Sequence, residues 1–116
     1  DNVTAILDFN KLQSDDFNKN IINIEPLRQK IKSFNWDVIE IDGHSFNDID
    51  SAISKTSKNE KPLFIIAHTV KGKGVSFMEN KPLWHGSVKM TIDQITSSLM
   101  ELGANKKLID DCINYE

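Results

Sequence analysis

The feature that most constrains this chain is a pair of short apolar runs that lie far apart in sequence. One is "VTAILDF" (Val3–Phe9) and the other is "PLFIIAHTV" (Pro62–Val70). Apolar residues fill nearly every position in both runs, which is typical of parallel strands covered on both faces. A third strand is predicted at "DVIEID" (Asp37–Asp42). The chain is therefore predicted to build its core on a parallel sheet.

Helical patterns lie between and after these strands. Apolar residues recur at helical spacing after Pro26 and again after Ser45, a good N-cap residue. "TIDQ" at residues 91–94 has capping-box spacing and begins a helix that Gly103 would end, and Asn105 would cap a last helix. The predicted fold class is α/β: a partial parallel sheet with flanking helices, in the order β-α-β-α-β and then two helices.

Each predicted helix has one apolar face, which is expected to pack on the core. The residues on these faces are Leu27, Ile31 and Phe34; Phe46, Ile49 and Ile53; Ile95, Leu99 and Leu102; and Leu108, Ile109, Cys112 and Ile113. Three strands are few for such a sheet, whose average is about 5 to 6. Unpaired parallel edges would either pair with a second copy or be covered by part of the sheet that these residues lack. The abrupt start at Asp1 favours the second alternative.

Composition and charge narrow the functional class. The 116 residues are 39% hydrophobic and 27% charged, as in an ordinary globular domain. The formal net charge of -3 argues against broad binding of nucleic acid or anionic membranes, although a local basic cluster could hold one anion. The single cysteine, Cys112, excludes an internal disulfide and fits a reducing compartment. With no signal pattern and no bilayer-length apolar stretch, the expected location is cytoplasmic.

Polar residues follow all three predicted strands. The strands end in "DFNKLQ", "DGHS" and "HTVKGKG". In open α/β sheets ligands bind at the carboxyl ends of the strands, so this edge is the predicted site. In the last segment, Lys71 and Lys73 offer point charges to a phosphate and the two glycines allow close approach of the backbone. The spacing is not that of a Walker loop, and a solvated basic turn is the alternative.

The other candidates are an asparagine and three histidines. Asn10 could supply one oxygen ligand to a hard cation such as magnesium, although starting a turn is the commonest use of asparagine at such a position. His44 could be a capping or packing residue, and His68 a hydrogen-bonded core residue. His85 lies in a long loop beside Trp84, which could simply anchor that loop by packing. Neither zinc-ligand spacing nor a serine nucleophile elbow is present.

Four ordered segments resemble transketolases. They are "AILDFNKLQ", "FNWDVIEIDGHS", "PLFIIAHTVKGKGVSFMEN" and "WHG", and the similarity runs from about Val3 to Gly103. They look most like the N-terminal half of transketolase, particularly the form split into two polypeptides. The resemblance implies that residues 1–116 are the C-terminal portion of a single domain that binds the diphosphate of thiamine diphosphate, within a larger chain.

The resemblance also implies a reaction and a set of site residues. The reaction is transfer of a two-carbon ketol unit from a ketose phosphate to an aldose phosphate, as in the pentose phosphate pathway. Asn10 and the backbone carbonyl of Leu12 would bind Mg2+, and both would contribute to cofactor binding. His85 would lie at the active site near cofactor and substrate, and Lys71 would lie near the cofactor pocket. Trp84 would then fix the loop and direct His85 inward.

The chain departs from the family pattern in ways that affect this expectation. It contains no Gly-Asp-Gly, the segment that supplies a metal carboxylate in the family, and "QSDD" replaces the usual glycine after the acid. The expected partners are therefore the missing upstream half and the pyrimidine-binding half or subunit, in a homodimer or heterotetramer, and the isolated chain is expected to be inactive. The alternatives are a non-catalytic scaffold module and a neighbouring deoxyxylulose-phosphate or dihydroxyacetone synthase activity.

Overall fold

The computed structural model describes residues 2–55, 60–86 and 88–114, so Asp1 lies outside the described residues. The chain divides into two compact units, Asp1–Thr69 and Val70–Glu116. The first unit contains, in chain order, β1 (Thr4–Phe9), β2 (Leu12–Gln13), β3 (Asp16–Phe17), α1 (Asn18–Ile21), α2 (Leu27–Ser33), β4 (Asp37–Asp42), α3 (Phe46–Ile53) and β5 (Leu63–His68). The second contains a 3₁₀ helix (Pro82–His85), α4 (Ile92–Glu101) and α5 (Lys106–Ile113).

The three predicted long strands form one parallel sheet, as the sequence indicated. Its order is β1-β5-β4, so the last strand of the chain lies between the other two. Thr4 and Asp37 both lie opposite Leu63, and the pairs continue without a break to His68. The predicted α/β class and the order of the main elements are confirmed.

The two faces of the sheet carry separate apolar clusters. Phe9, Val38 and Ile66 are buried on the face where the α2 residues Leu27 and Ile31 pack. Ala52 of α3 forms the second buried cluster with Leu63 and Ile65 of β5. Because neighbouring residues of β5 contribute to both clusters, this strand is covered on both faces, as predicted.

The expectation that β1 is covered on both faces is wrong for the described residues. Its burial alternates, with Phe9 buried and Ile6 62% exposed. The physical reason is position. β1 is an edge strand of the sheet, and α3, the helix that covers the second face, packs over β4.

The chain after β1 is more ordered than its sequence pattern indicated. β2 and β3 form an antiparallel pair in which Leu12 lies opposite Phe17, and the short helix α1 follows directly. Two-residue strands are too short to leave a periodic signal in the sequence. The "QSDD" segment makes the turn of this hairpin, with Ser14 at a φ of 51°.

The capping predictions for the second unit are confirmed. Thr91 and Gln94 form a reciprocal capping box at the start of α4, with Gln94 N–H donating to Thr91 Oγ1 at 3.2 Å. Asn105 Oδ1 accepts the Leu108 N–H at 2.9 Å and begins α5. Gly103 follows α4 with a φ of 82°, which favours glycine. Within the described ranges, none of the helices combines the length and apolar character needed to cross a membrane.

Several residues predicted on buried helix faces are exposed, so the prediction is wrong for them. They are Phe34, Phe46, Ile53, Leu102, Leu108 and Cys112. Phe46 is 89% exposed at the first position of α3, and Phe34 is 73% exposed just beyond the end of α2. Helical spacing identifies an apolar stripe but not how much of its length a neighbouring element covers, and the ends are covered least.

Candidate functional site

The carboxyl ends of the three parallel strands finish level with one another. Phe9 and Asp42 both lie opposite His68. The next residue of the chain after β4, Gly43, donates its N–H to the His68 carbonyl at 2.8 Å, and Thr69 N–H donates to the Phe9 carbonyl at 3.4 Å. The predicted convergence of the strand ends on one edge is confirmed for the first unit.

Asn10 and Leu12 are joined in a tight turn at this edge. The Leu12 N–H donates to Asn10 Oδ1 at 2.9 Å, and Lys11 between them has a φ of 64°. The Lys11 carbonyl accepts the Asn18 N–H at 2.9 Å, so this hydrogen bond runs between the residues that flank the Leu12–Phe17 pair. The neighbouring pair Leu12–Phe17 is then of the non-hydrogen-bonded type. The N–H and C=O of Leu12 therefore both point away from β3.

This turn leaves two oxygen atoms available on one side of the hairpin. One is Asn10 Oδ1, which has two lone pairs and uses one of them for the Leu12 N–H. The other is the Leu12 carbonyl, which we expect on the same side as the Leu12 N–H, because the N–H and C=O of one residue in an extended strand point the same way. Asn10 thus forms the turn that is its commonest use, and the same turn places two hard oxygen donors together.

A second contact at the carboxyl ends of the strands joins β1 to the residue that follows β5. The Asp8 carboxylate accepts a hydrogen bond from the Thr69 hydroxyl. Opposite, a Cβ at Gly43 would lie 2.4 Å from Thr69 Cγ2 and 3.1 Å from the His68 carbonyl oxygen. Gly43 is therefore required by the close approach of β4 to the end of β5. Thr69 could not be identified from the sequence as a neighbour of Asp8, since only the strand register brings the two together.

Glu40, His68 and Arg28 form a charged cluster on the α2 face of the sheet. Glu40 Oε2 lies 2.8 Å from His68 Nε2, and Glu40 Oε1 lies 3.2 Å from Arg28 Nη1. The hydrogen bond from His68, followed by that from Arg28, lowers the pKa of the Glu40 carboxyl. His68 also packs against Phe9, with ring centroids 5.6 Å apart. His68 is thus hydrogen-bonded as predicted, although it is only half-buried.

The hairpin also holds an acidic side chain in its ionised form. The Asp16 carboxylate accepts the Phe17 N–H at 2.6 Å and, through Oδ2, the Asn20 side-chain amide at 3.0 Å. These hydrogen bonds, the backbone one first, lower the pKa of Asp16. Asp16 therefore stabilises the "QSDD" turn locally through its own neighbours.

In the second unit, the "KGKG" segment forms a closed loop. The Asn80 N–H donates to the Lys71 carbonyl at 3.0 Å, which joins the two ends of the loop. Gly72 has a φ of 75°, and a Cβ there would lie 2.8 Å from the Met78 side chain. The glycine predicted to admit a ligand is thus required first by the packing of its own loop.

The two lysines of this segment have different surroundings. Lys73 Nζ lies 3.7 Å from Glu79 Oε1, and that same oxygen accepts the Gly74 N–H at 3.1 Å. Lys71 is half-buried where the loop closes. The two lysines therefore differ in exposure and in partners, since Lys73 is exposed and ion-paired whereas Lys71 is half-buried.

Trp84 anchors the segment that carries His85. Its indole N–H donates to the Phe77 carbonyl at 3.2 Å, and its ring lies 5.4 Å from the Phe77 ring. Trp84 and His85 are consecutive in the 3₁₀ helix, where Trp84 is half-buried and His85 is exposed. The anchoring of the loop by Trp84 is confirmed, and it leaves the imidazole of His85 accessible.

The predicted site residues thus fall into two groups. Asn10 and Leu12 share one turn in the first unit, and Lys71 and His85 belong to the second. Among residues 2–55, 60–86 and 88–114, no group of three or more histidine, cysteine, aspartate or glutamate side chains could hold a metal.

Comparison with known proteins identifies the family. The family model described as "Transketolase, thiamine diphosphate binding domain" matches residues 1–110. The 6-deoxy-6-sulfo-D-fructose transketolase subunit SqwG of Clostridium sp. (strain MSTE9) is 38% identical over 103 residues, which are 88% of this chain and 37% of that protein. An apulose-4-phosphate transketolase subunit of Phocaeicola vulgatus is 37% identical, over 88% of this chain and 36% of that protein.

Solved structures give the same result for the fold. A transketolase from Campylobacter jejuni subsp. jejuni matches with a TM-score of 0.79 at 25% identity, over 90% of this chain and 16% of that one. A transketolase mutant from Pichia stipitis matches with a TM-score of 0.78 at 23% identity, over 91% and 16% of the two chains. The latter identity is low enough that it shows the fold alone.

The chain covers only part of the length of each relative. The chain spans 36–37% of the two subunit relatives and 18% of the rat transketolase, to which it is 32% identical over 111 residues. This chain belongs to the transketolase family and matches its thiamine-diphosphate-binding domain.

Proposed function

We propose that this chain is part of an enzyme that transfers a two-carbon ketol unit from a ketose phosphate to an aldose phosphate. The observation that carries the proposal is the Asn10–Leu12 turn at the carboxyl edge of the parallel sheet, in a chain of this family. Thiamine diphosphate, when bound, supplies the nucleophilic carbon and electron sink for breaking a carbon–carbon bond beside a carbonyl. Everything else required of these residues is binding, orientation and proton transfer.

The first of these roles is metal binding by the Asn10–Leu12 turn. Mg2+ prefers six oxygen ligands and usually keeps phosphate oxygens and waters among them. Asn10 Oδ1 and the Leu12 carbonyl lie on one side of the hairpin and would provide two of the six. Both are neutral, so the charge that balances the metal would come from the cofactor diphosphate and from a carboxylate outside these residues.

The second role belongs to residues of the second unit. Lys71 would face the cofactor diphosphate as a point charge at the closed end of its loop. His85, exposed beside the anchored Trp84, would hold or move a proton at a sugar hydroxyl. His85 would also contribute to cofactor binding, and a phosphorylated sugar would be the substrate.

The remaining proposals concern the whole assembly. We propose that residues 1–116 are the C-terminal portion of a single thiamine-diphosphate-binding domain, because they span little more than a third of the subunit relatives. The partners would be the upstream half of that domain and a pyrimidine-binding half or subunit, assembled as a homodimer or heterotetramer. We also propose that the enzyme acts in the cytoplasm, since the exposed thiol of Cys112 suits a reducing compartment. The pathway proposed for it is the pentose phosphate pathway.

Native mass spectrometry of the complete assembly tests this function. The full-length protein, with any polypeptide that copurifies, is measured with thiamine diphosphate added in the presence and absence of Mg2+. We expect cofactor uptake that depends on Mg2+, ketol transfer between sugar phosphates, and no activity from residues 1–116 alone. An assembly that forms but takes up no cofactor would favour the non-catalytic scaffold instead.

A further inference from the structure

We propose that Glu101 is a positioning residue for His85, acting through the loop between them; the inference rests on the proposed function of His85. Glu101 is the last residue of α4. Its Oε2 accepts the Ser76 N–H at 2.6 Å, and its Oε1 accepts the Ser76 hydroxyl at 2.9 Å. One carboxylate thus binds both donors of a single loop residue. We call this contact the Glu101 clamp.

The clamp connects to His85 through a short series of contacts. Ser76 is followed by Phe77, whose carbonyl accepts the Trp84 indole N–H at 3.2 Å and whose ring packs on the Trp84 ring. Trp84 precedes His85 in the 3₁₀ helix. A displacement of Ser76 would therefore move the Phe77 carbonyl and ring, which are the two contacts that fix Trp84 and the orientation of the residue after it.

Two features make the clamp a strong and specific support of Ser76. Hydrogen bonds to a carboxylate are stronger than those between neutral groups, and this one fixes backbone and side chain together. Ser76 itself is exposed, so apolar packing of its own side chain cannot hold it in place. Its neighbour Val75 is 6% exposed, and the Val75 carbonyl accepts the Met78 and Glu79 N–H groups at 2.9 and 3.1 Å. Loss of the clamp would therefore loosen Ser76 and Phe77 rather than the whole loop.

The experiment compares Glu101→Ala with Asp111→Ala in the complete enzyme. Asp111 is the matched control because it also loses one carboxylate, from an exposed i,i+4 pair with Lys107 on α5. Hydrogen exchange of peptides covering residues 72–80 measures the loop, and steady-state kinetics measure the reaction. Glu101→Gln keeps an acceptor oxygen and serves as the conservative variant, and Ser76→Ala removes the hydroxyl bond alone.

We expect amide exchange at Ser76, whose N–H loses its acceptor, to be faster by about tenfold or more in Glu101→Ala and unchanged in Asp111→Ala. We also expect kcat to fall about 10- to 100-fold with substrate KM changed less than about threefold, since orientation rather than binding is lost. Glu101→Gln should be affected less than Glu101→Ala in both exchange rate and kcat. Ser76→Ala should give values of both quantities between those of Glu101→Gln and the wild type.

The outcomes separate this proposal from the proposed function. Unchanged exchange in both Glu101→Ala and Ser76→Ala overturns the clamp, and faster exchange with an unchanged kcat overturns the positioning role. A parallel loss in Asp111→Ala would show that charge rather than the clamp is responsible and would also overturn it. If the wild-type enzyme does not transfer ketol units, the proposed function fails, whereas the exchange measurement still decides whether Glu101 holds the loop.

Discussion

The Glu40 carboxylate lies 2.8 Å from the His68 imidazole and joins the neighbouring strands β4 and β5 near their carboxyl ends. Arg28 of α2 binds the other oxygen of the same carboxylate at 3.2 Å. A single acidic side chain therefore connects two strands and a helix near the carboxyl ends of the strands. Its ionisation should be coupled to the stability of this edge.

Glu40→Gln is expected to make the stability of the chain less sensitive to acid. Because the native pKa of Glu40 is lowered, its ionised form stabilises the fold fully above the unfolded pKa of about 4.3 and this contribution is lost as the pH falls through the native pKa. The three side chains are 36–43% exposed and solvent screens them, so we expect about 0.5–1 kcal/mol at pH 7 and almost nothing below the native pKa. Urea unfolding at several pH values measures the difference. Glu60→Gln, at an exposed carboxylate, is the control, and parallel curves for the two variants would contradict the prediction.

Asn10→Ala is expected to weaken magnesium-dependent cofactor binding in the complete enzyme. The change removes one proposed ligand and also releases the Leu12 N–H, so the carbonyl beside it loses its orientation. We expect the apparent affinity for Mg2+ to fall about 10- to 100-fold, by analogy with the loss of groups that orient a metal ligand. Isothermal titration with thiamine diphosphate and Mg2+ measures this, and removal of Mg2+ with a chelator should abolish binding in the wild type.

Asn10→Asp separates the two effects of that substitution. An aspartate keeps an oxygen that can accept the Leu12 N–H and can bind a hard cation. It should therefore retain much of the Mg2+ dependence that Asn10→Ala loses. Equal losses in both variants would mean that the amide group itself, rather than its oxygen, is required.

His85→Ala is expected to lower kcat much more than it weakens cofactor binding. Loss of a side chain that transfers a proton in the transition state typically costs about 10²- to 10⁴-fold in rate. Leu83→Ala is the matched control, because Leu83 lies in the same 3₁₀ helix and is 73% exposed. Steady-state kinetics and cofactor titration of both variants are compared with the wild type. Equal losses of rate and cofactor affinity in His85→Ala would argue against its catalytic role.

Gly72→Ala is expected to destabilise the "KGKG" loop more than Gly103→Ala destabilises the end of α4. Both glycines have positive φ, 75° and 82°, but only at Gly72 would a Cβ meet other atoms, 2.8 Å from Met78. The shared backbone cost is about 1 kcal/mol, and the overlap adds about 1–3 kcal/mol at Gly72. Thermal unfolding of the two variants measures the difference. Equal destabilisation would mean that Met78 moves away at no cost.

The main strands and the helix caps could be predicted because their signals are local. Apolar runs of strand length indicated β1, β4 and β5, and "TIDQ" indicated a capping box that the structure shows with both of its hydrogen bonds. The site edge was predictable for a related reason. Parallel strands carry their ends to one side, so polar residues after each strand had to meet there.

The remaining features depend on pairings that the sequence does not show. Thr69 lies beside Asp8 and Ser76 beside Glu101 only because strands and a loop come together over long separations. The exposed faces of Phe34 and Phe46 depend in the same way on which neighbouring elements cover them. The hairpin from Leu12 to Phe17 is local, but its two-residue strands are too short to produce a periodic pattern of apolar residues, so the sequence did not predict it.

The strand order has a consequence for how the chain is made. β1 and β4 each pair with β5, the last of the three to be synthesised, and not with each other. Neither of these two pairings can therefore form until Leu63–His68 has left the ribosome. Such non-local pairing slows folding and leaves apolar segments open to misassociation in the meantime. Until its central strand is complete, the nascent chain should therefore expose the apolar side chains of β1 and β4 that later pack in the sheet.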